Sequence, residues 1–310
     1  MRFRRIAALV TVMALSVAVA SCGGDEATTS TTGATVTTEA PATTEAPATT
    51  EAPATTEAPA TTAAPPAEIL LDAPLVTGFG VDGDPGEWAD VPSLDLTLEP
   101  IGGETLEAKN AVVKVAHDGE SVYVLFQVED AYNWVLGEDP HFTSAVGVQW
   151  AIDQSAGGAM GATDDDRETS LGTVDIWHWE LECAAGEVSG GATSGPGEGS
   201  DPGDDGACNF DDEWSTDPET REDDNGDGAE NSLSGSWSHS DPTADAAGTW
   251  TFEMSRPLDT GDSTDAAFAA GESGLLALAY WDADATPEGW EDDGHVQSAN
   301  LGWINVTFAS

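Results

Sequence analysis

Residues 121–129 read Ser-Val-Tyr-Val-Leu-Phe-Gln-Val-Glu, and Val122, Val124, Phe126 and Val128 recur at every second position. Successive side chains of an extended chain point to opposite sides, so this period of two places the four on one face of a strand. Trp250, Phe252 and Met254 repeat the pattern, and Trp303, Ile304, Val306 and Phe308 follow it less strictly. Working outward, further short runs bounded by Gly, Asp and Pro predict strands at 68–72, 93–98, 111–117, 145–152, 173–180 and 274–282. No stretch sustains the 3.6-residue stripe of an amphipathic helix. An all-β fold follows: one antiparallel β-sandwich over residues 67–310, interrupted by long acidic loop insertions, of which 184–246 is the longest.

The chain has 310 residues, with 8 Lys and Arg against 58 Asp and Glu, for a net charge of −50. A field of that sign repels phosphate backbones and excludes nucleic acid as a partner. It is equally unsuited to an anionic membrane surface, unless a covalent anchor holds it there. Eleven Trp against 3 Tyr mark a core-forming composition beneath this acidic surface.

The first 22 residues place Arg2, Arg4 and Arg5 ahead of an apolar run that is short for a membrane span. The run ends in Val19-Ala20-Ser21-Cys22, which resembles the lipobox of bacterial lipoproteins. That resemblance implies a signal peptide at 1–21, cleavage before Cys22 and lipidation of its sulfur. The expected address is the outer face of the cell membrane, within the cell envelope, with the lipid as sole membrane attachment. Cleavage would remove three cations and no acid, leaving five cations against 58 acids, a net of −53. Residues 22–66 form a Thr/Ala/Pro/Glu-rich tether in which Glu-Ala-Pro-Ala-Thr-Thr repeats without a break from Glu39 to Thr62. With no apolar face at any period it can bury no core. In extended polyproline II, at about 3.1 Å per residue, it would span roughly 130 Å.

Cys183 and Cys208 flank the first part of the acidic insertion. In an exported chain two such thiols are expected to pair, and closing that ring is worth about 3 kcal/mol on the chain-entropy model. Asp223, Asn225 and Asp227 stand at alternate positions with Gly226 and Gly228 between and after them, like the start of a calcium loop. The loop position that should carry the bidentate Glu holds Ser234, so a solvated acidic loop competes with a calcium site. Five scattered His and no spare thiol give no nucleophile–base set, and the chain reads as a non-enzyme.

Three segments carry a family resemblance: Val81-Asp82-Gly83-Asp84-Pro85-Gly86-Glu87-Trp88, Val174-Asp175-Ile176-Trp177-His178-Trp179 preceded by Met160-Gly161, and Trp250 to Leu258 with Arg256-Pro257. The first, with Asp118 to Val124, resembles many sandwich modules, including DOMON-like domains and family 9 carbohydrate-binding modules. Together the three resemble the haem-binding subunit of ethylbenzene dehydrogenase and dimethylsulfide dehydrogenase, over residues 78–308. The resemblance implies a sandwich holding one non-covalent haem b and exchanging electrons with redox partners outside the chain. It further implies a Met ligand at Met160 and a Lys ligand near the C-terminus. No Lys follows Lys114, and His295 occupies that region, so His295 is the expected second ligand of the haem iron. Arg256 is expected either to face the haem propionates or to pair with an acid. Trp177 and Trp179 share one face of a strand and serve as pocket wall, as core, or as a stacking platform for sugar rings. His178 points the other way, as a hydrogen-bonded core or surface histidine, and Met254 belongs to the core. A surface-displayed carbohydrate-binding module is the alternative reading.

Overall fold

The computed structural model describes residues 68–100, 106–133, 143–160, 172–181, 193–194, 209–217, 220–223, 232–284, 295–298 and 302–310. Cys22, Cys183, Cys208, Asn225 and Asp227 lie outside the described residues, as do the segments 1–21 and 22–66. Of the expected calcium ligands only Asp223 falls within them, at the end of a strand. No helix among the described residues is long and apolar enough to cross a membrane.

The first sheet is built on β4 (Ser121–Ala131), the stretch with the clearest alternation. It lies between β3 (Lys109–His117) and β11 (Ala247–Pro257), antiparallel to both. β2 (Leu94–Pro100) pairs with the far edge of β3, while β10 (Ser234–His239) and the two-residue β7 (Thr193–Ser194) extend the other side. The second sheet centres on β12 (Ser273–Trp281), β5 (Ala145–Ala151) and β6 (Val174–Glu180), continued by β8 (Asn209–Asp217) and β9 (Thr220–Asp223). The free edge of β12 is shared by β14 (Ile304–Phe308) and β13 (His295–Gln297). β1 (Ile69–Ala73) closes that side, parallel to β14. β13 also pairs with β2, so the two sheets join at one corner.

Their inner faces form one hydrophobic cluster. Val113, Val124, Phe126, Trp250, Phe252 and Met254 come from the first sheet, and Val148, Trp150, Trp177, Trp179, Leu278, Tyr280 and Phe308 from the second. Trp150, Trp177, Trp179, Trp237 and Trp250 are fully buried. These wide side chains fill the gap between facing sheets, where each large buried side chain stabilises by roughly 1.5–3 kcal/mol.

All nine strands expected from alternation are present. The insertion is where the outcome differs, because β8 and β10 arise inside 184–246 and add to opposite sheets. The acidic segment is therefore partly sheet rather than loop. β8 escapes a hydropathy reading because its inward residue Asp212 is an acid, neutralised in the core by Arg256 at 3.0 Å.

The Val81–Trp88 motif is structural. Pro85 opens a short 3-10 turn, Pro85–Asp90, capped by Asp84, and Gly83 turns into it with φ +79. Glu253 of β11 accepts from the Asp82 and Gly83 amides at 2.9 and 2.7 Å and from Trp88 Nε1 at 2.8 Å. One buried carboxylate thus ties the turn to the first sheet.

Candidate functional site

The outer face of the second sheet gathers Met160, His178 and His295. Four outward positions of β5 and β12 hold small residues, Ala145 and Gly147, and Ala277 and Ala279, with Ala279 directly opposite Gly147. A shallow floor results, and larger side chains stand around it. His178 of β6 is the register partner of Gly147, Trp281 of β12 is that of Ala145, and His295 of β13 is that of Trp281. Gln297 stands beside Ala279.

Met160 lies over this floor. A Cβ at position 147 would come within 2.7 Å of Met160 Cε and 3.4 Å of its Sδ, so the thioether occupies the space the missing side chain leaves. The segment bearing it is held at several points. Gln149 Nε2 donates to the Ala159 carbonyl at 3.0 Å, Trp303 Nε1 donates to the Ala156 carbonyl at 2.7 Å, and the Met160 amide donates to Gln297 Oε1 at 2.8 Å. Gln297 Nε2 in turn lies 2.5 Å from His295 Nε2. The two residues expected to hold iron thus meet on one face, and a single amide side chain joins them. Trp281 forms the wall between the histidines, stacked on His295 with centroids 5.1 Å apart and edge-on to His178 at 5.2 Å.

The other expected site residues lie elsewhere. Trp177 and Trp179 point into the sandwich, fully buried, and take the core option; neither offers a face to a sugar ring. Met254 is core, as expected. Arg256 is also in the interior, on the opposite side of the second sheet from Met160. Its guanidinium donates to Asp175 at 2.6 Å, Asp212 at 3.0 Å and Asp265 at 3.0 Å, and lies 5.1 Å over the Trp177 ring. It is committed to carboxylates of the protein and cannot serve propionates. Burial pushes the Asp175 carboxyl up to about 6, against the pull of Arg256. Burial likewise raises Asp265.

Lys109 pairs with Asp130 at 2.8 Å and Asp282 at 2.5 Å, and Lys114 donates to the Trp88 carbonyl at 2.6 Å. Every Lys or Arg whose side chain is described is therefore engaged.

A second concave surface crosses the outer face of the first sheet, a groove of about 970 Å³. Asp95, Thr97, Asn110, Gln127, Thr249 and Thr251 are among its polar lining residues, and among the described residues no aromatic side chain lines it.

These features define a two-sheet β-sandwich with a sulfur and imidazole donor face on one sheet. The model of the ethylbenzene dehydrogenase family matches residues 86–293, more than half of the chain, and the chain belongs to that family. No curated protein matches it. Among solved structures, a Bacteroides uniformis protein described as carbohydrate-binding aligns with 78% of this chain and 100% of its own length, at 8% identity and a TM-score of 0.45. A family 9 carbohydrate-binding module from Caldicellulosiruptor kristjanssonii in complex with cellotriose aligns with 78% of this chain and 94% of its own, at 11% identity and a TM-score of 0.39. In complex with glucose, such a module from that organism gives 78% and 96%, at 10% identity and the same TM-score of 0.39.

Proposed function

We propose that this chain is an envelope-anchored protein that binds one b-type haem non-covalently and passes electrons, without a reaction of its own. The observation that carries the reading is the convergence of Met160 with two imidazoles on the outer face of the second sheet, organised by Gln297. Thioether sulfur and imidazole nitrogen are the donors that hold haem iron in electron carriers. The face also leaves both ring nitrogens of His178 buried and without a hydrogen bond, a polar cost that a ligand would relieve. When bound, the haem would supply a one-electron carrier, and a Met ligand favours its reduced state.

The protein's own residues do the remaining work. Gln149, Trp303 and Gln297 fix the backbone that carries Met160, so the sulfur is positioned before any ligand arrives. Trp281, Ala145 and Ala279 make an apolar surround, which limits water at the donors. Among the described residues Lys109, Lys114 and Arg256 are all engaged, so none of these three is offered to the propionates, and burying two more anions without partners would be prohibitive. The lipidated Cys22 and the Thr/Ala/Pro/Glu-rich tether would supply the anchor.

Reconstitution of the purified full chain with haem b tests the reading. A Soret band with one haem retained per chain after gel filtration is expected. Haem that elutes separately from the protein defeats it.

The polar groove of the first sheet favours a second reading, glycan binding. Gln127, which donates to Thr251 at 2.9 Å, and Asn110, which donates to Glu129 at 3.1 Å, line up amide and hydroxyl groups suited to sugar hydroxyls. Oligosaccharide titration of the wild type and Gln127→Ala would support this reading if binding were seen and weakened by the substitution.

A further inference from the structure

The donor face holds two histidines, and they are not equivalent. His295 Nε2 is engaged by the Gln297 amide at 2.5 Å, and the other end of that amide holds the Met160 backbone. Giving His295 Nε2 to a metal would break this contact and loosen the residue that positions the sulfur. His178 is in the opposite condition. It is 1% exposed, and neither of its ring nitrogens makes a hydrogen bond. Glu213 Oε1 lies 3.3 Å from Nδ1, within reach but without hydrogen-bond alignment, and Glu180 Oε1 lies 3.9 Å from Nε2.

Leaving a buried polar group without a hydrogen bond is destabilising. Metal-bound imidazoles ordinarily turn their second nitrogen toward a carboxylate, which fixes the tautomer and makes the ligand more electron-rich. His178 is placed for that arrangement: Glu213 Oε1 stands 3.3 Å from Nδ1, and Nε2 has no hydrogen bond. Its register partner Gly147 is the residue over which the Met160 thioether lies, so the sulfur and this imidazole are neighbours on one floor.

We infer that His178, through Nε2, is the nitrogen ligand of the haem iron, with Glu213 as its positioning carboxylate, and that His295 serves with Gln297 to hold the Met160 segment. This rests on the haem reading above. The resemblance puts the second ligand near the C-terminus, whereas His178 lies between two core tryptophans in β6. Its strand context explains why it reads as an ordinary histidine in the sequence.

The test uses the full chain loaded with haem b, with electron paramagnetic resonance and reduced-minus-oxidised spectra as readouts. His178→Gly is expected to lose the low-spin signal, and added imidazole is expected to restore it by filling the vacated position. Glu213→Gln keeps the volume but removes the anion; it should raise the midpoint potential and weaken haem retention by about 10-fold or more. Should His178→Gly fail to fold, the Glu213→Gln potential decides, and an unchanged potential overturns the inference. A low-spin signal that survives His178→Gly and vanishes in His295→Ala also overturns it, while leaving the haem reading intact. A wild-type chain that retains no haem instead removes the reading on which the inference stands.

Discussion

Gly147 is small because of what lies above it. Its backbone is ordinary strand, so the requirement is not for a left-handed conformation but for an empty Cβ position 2.7 Å from Met160 Cε and 3.3 Å from Trp281. Gly147→Ala should cost only about 1–3 kcal/mol, toward the low end because the flexible end of a methionine can move aside. Its effect on the site is expected to be larger than its effect on stability. Thermal melts of the variant should lie close to the wild type, whereas haem retention should drop clearly; the reverse pattern would show that Gly147 serves packing alone. Little of this was legible in the sequence. Met160 stood out through Met160-Gly161 and its place before Trp177-His178-Trp179, and His295 through its place near the C-terminus. Gln297, Trp281 and Gly147 carried no signal, because their roles come from strand register across β5, β12 and β13. Arg256 was open between two readings, and only the placement of Asp175, Asp212 and Asp265 around it decides for the core.

Between the sheets, Arg256 of β11 is the tie to β6 and β8. Its three carboxylate partners come from β6, from β8 and from the turn after β11, and the Ala266 carbonyl accepts a further bond at 2.9 Å. This network explains how an acid-rich segment becomes a strand of the second sheet. Arg256→Met retains much of the volume but leaves buried carboxylates without their counter-charge, and should cost about 3–5 kcal/mol in urea unfolding. A loss below about 1 kcal/mol would mean that the carboxylates are stabilised otherwise. Strands with plain alternation, such as β4 and β11, were legible because burial on one face imposes the period of two. β8 was not, since its inward position 212 is an acid whose partner sits far off in sequence. β13 is only three residues long, too short for a period to register.

At the scale of the whole molecule, acid excess sets the response to pH and salt. Burial raises the folded-state carboxyls of Asp175 (to about 6), Asp265 and Glu253 above their ordinary range. A carboxyl raised on folding contributes stability that is fully present below its unfolded value and is lost as pH rises through its folded value. Stability should therefore fall between about pH 4 and about pH 7, in contrast to the usual acid-labile protein. Asp118 and Asp262 are held low by backbone and hydroxyl donors and act in the opposite direction, but both are largely solvated. Salt screens the surface repulsion of a chain with net charge −50 but hardly reaches a buried group. Melting temperature should rise with salt, and the Asp175 share of the pH slope should persist at high salt and flatten in Asp175→Asn. A slope that salt abolishes would assign the whole effect to the surface.

The central claim is that Met160 supplies sulfur to a haem iron on the outer face of the second sheet, and the reduction potential of the haem-loaded chain tests it most directly. A thioether ligand stabilises ferrous iron, so Met160→Ala should lower the midpoint potential and abolish the sulfur-to-iron charge-transfer band, with the fold unchanged by circular dichroism. A haem-loaded Met160→Ala protein with the wild-type potential and the wild-type spectrum would contradict the account.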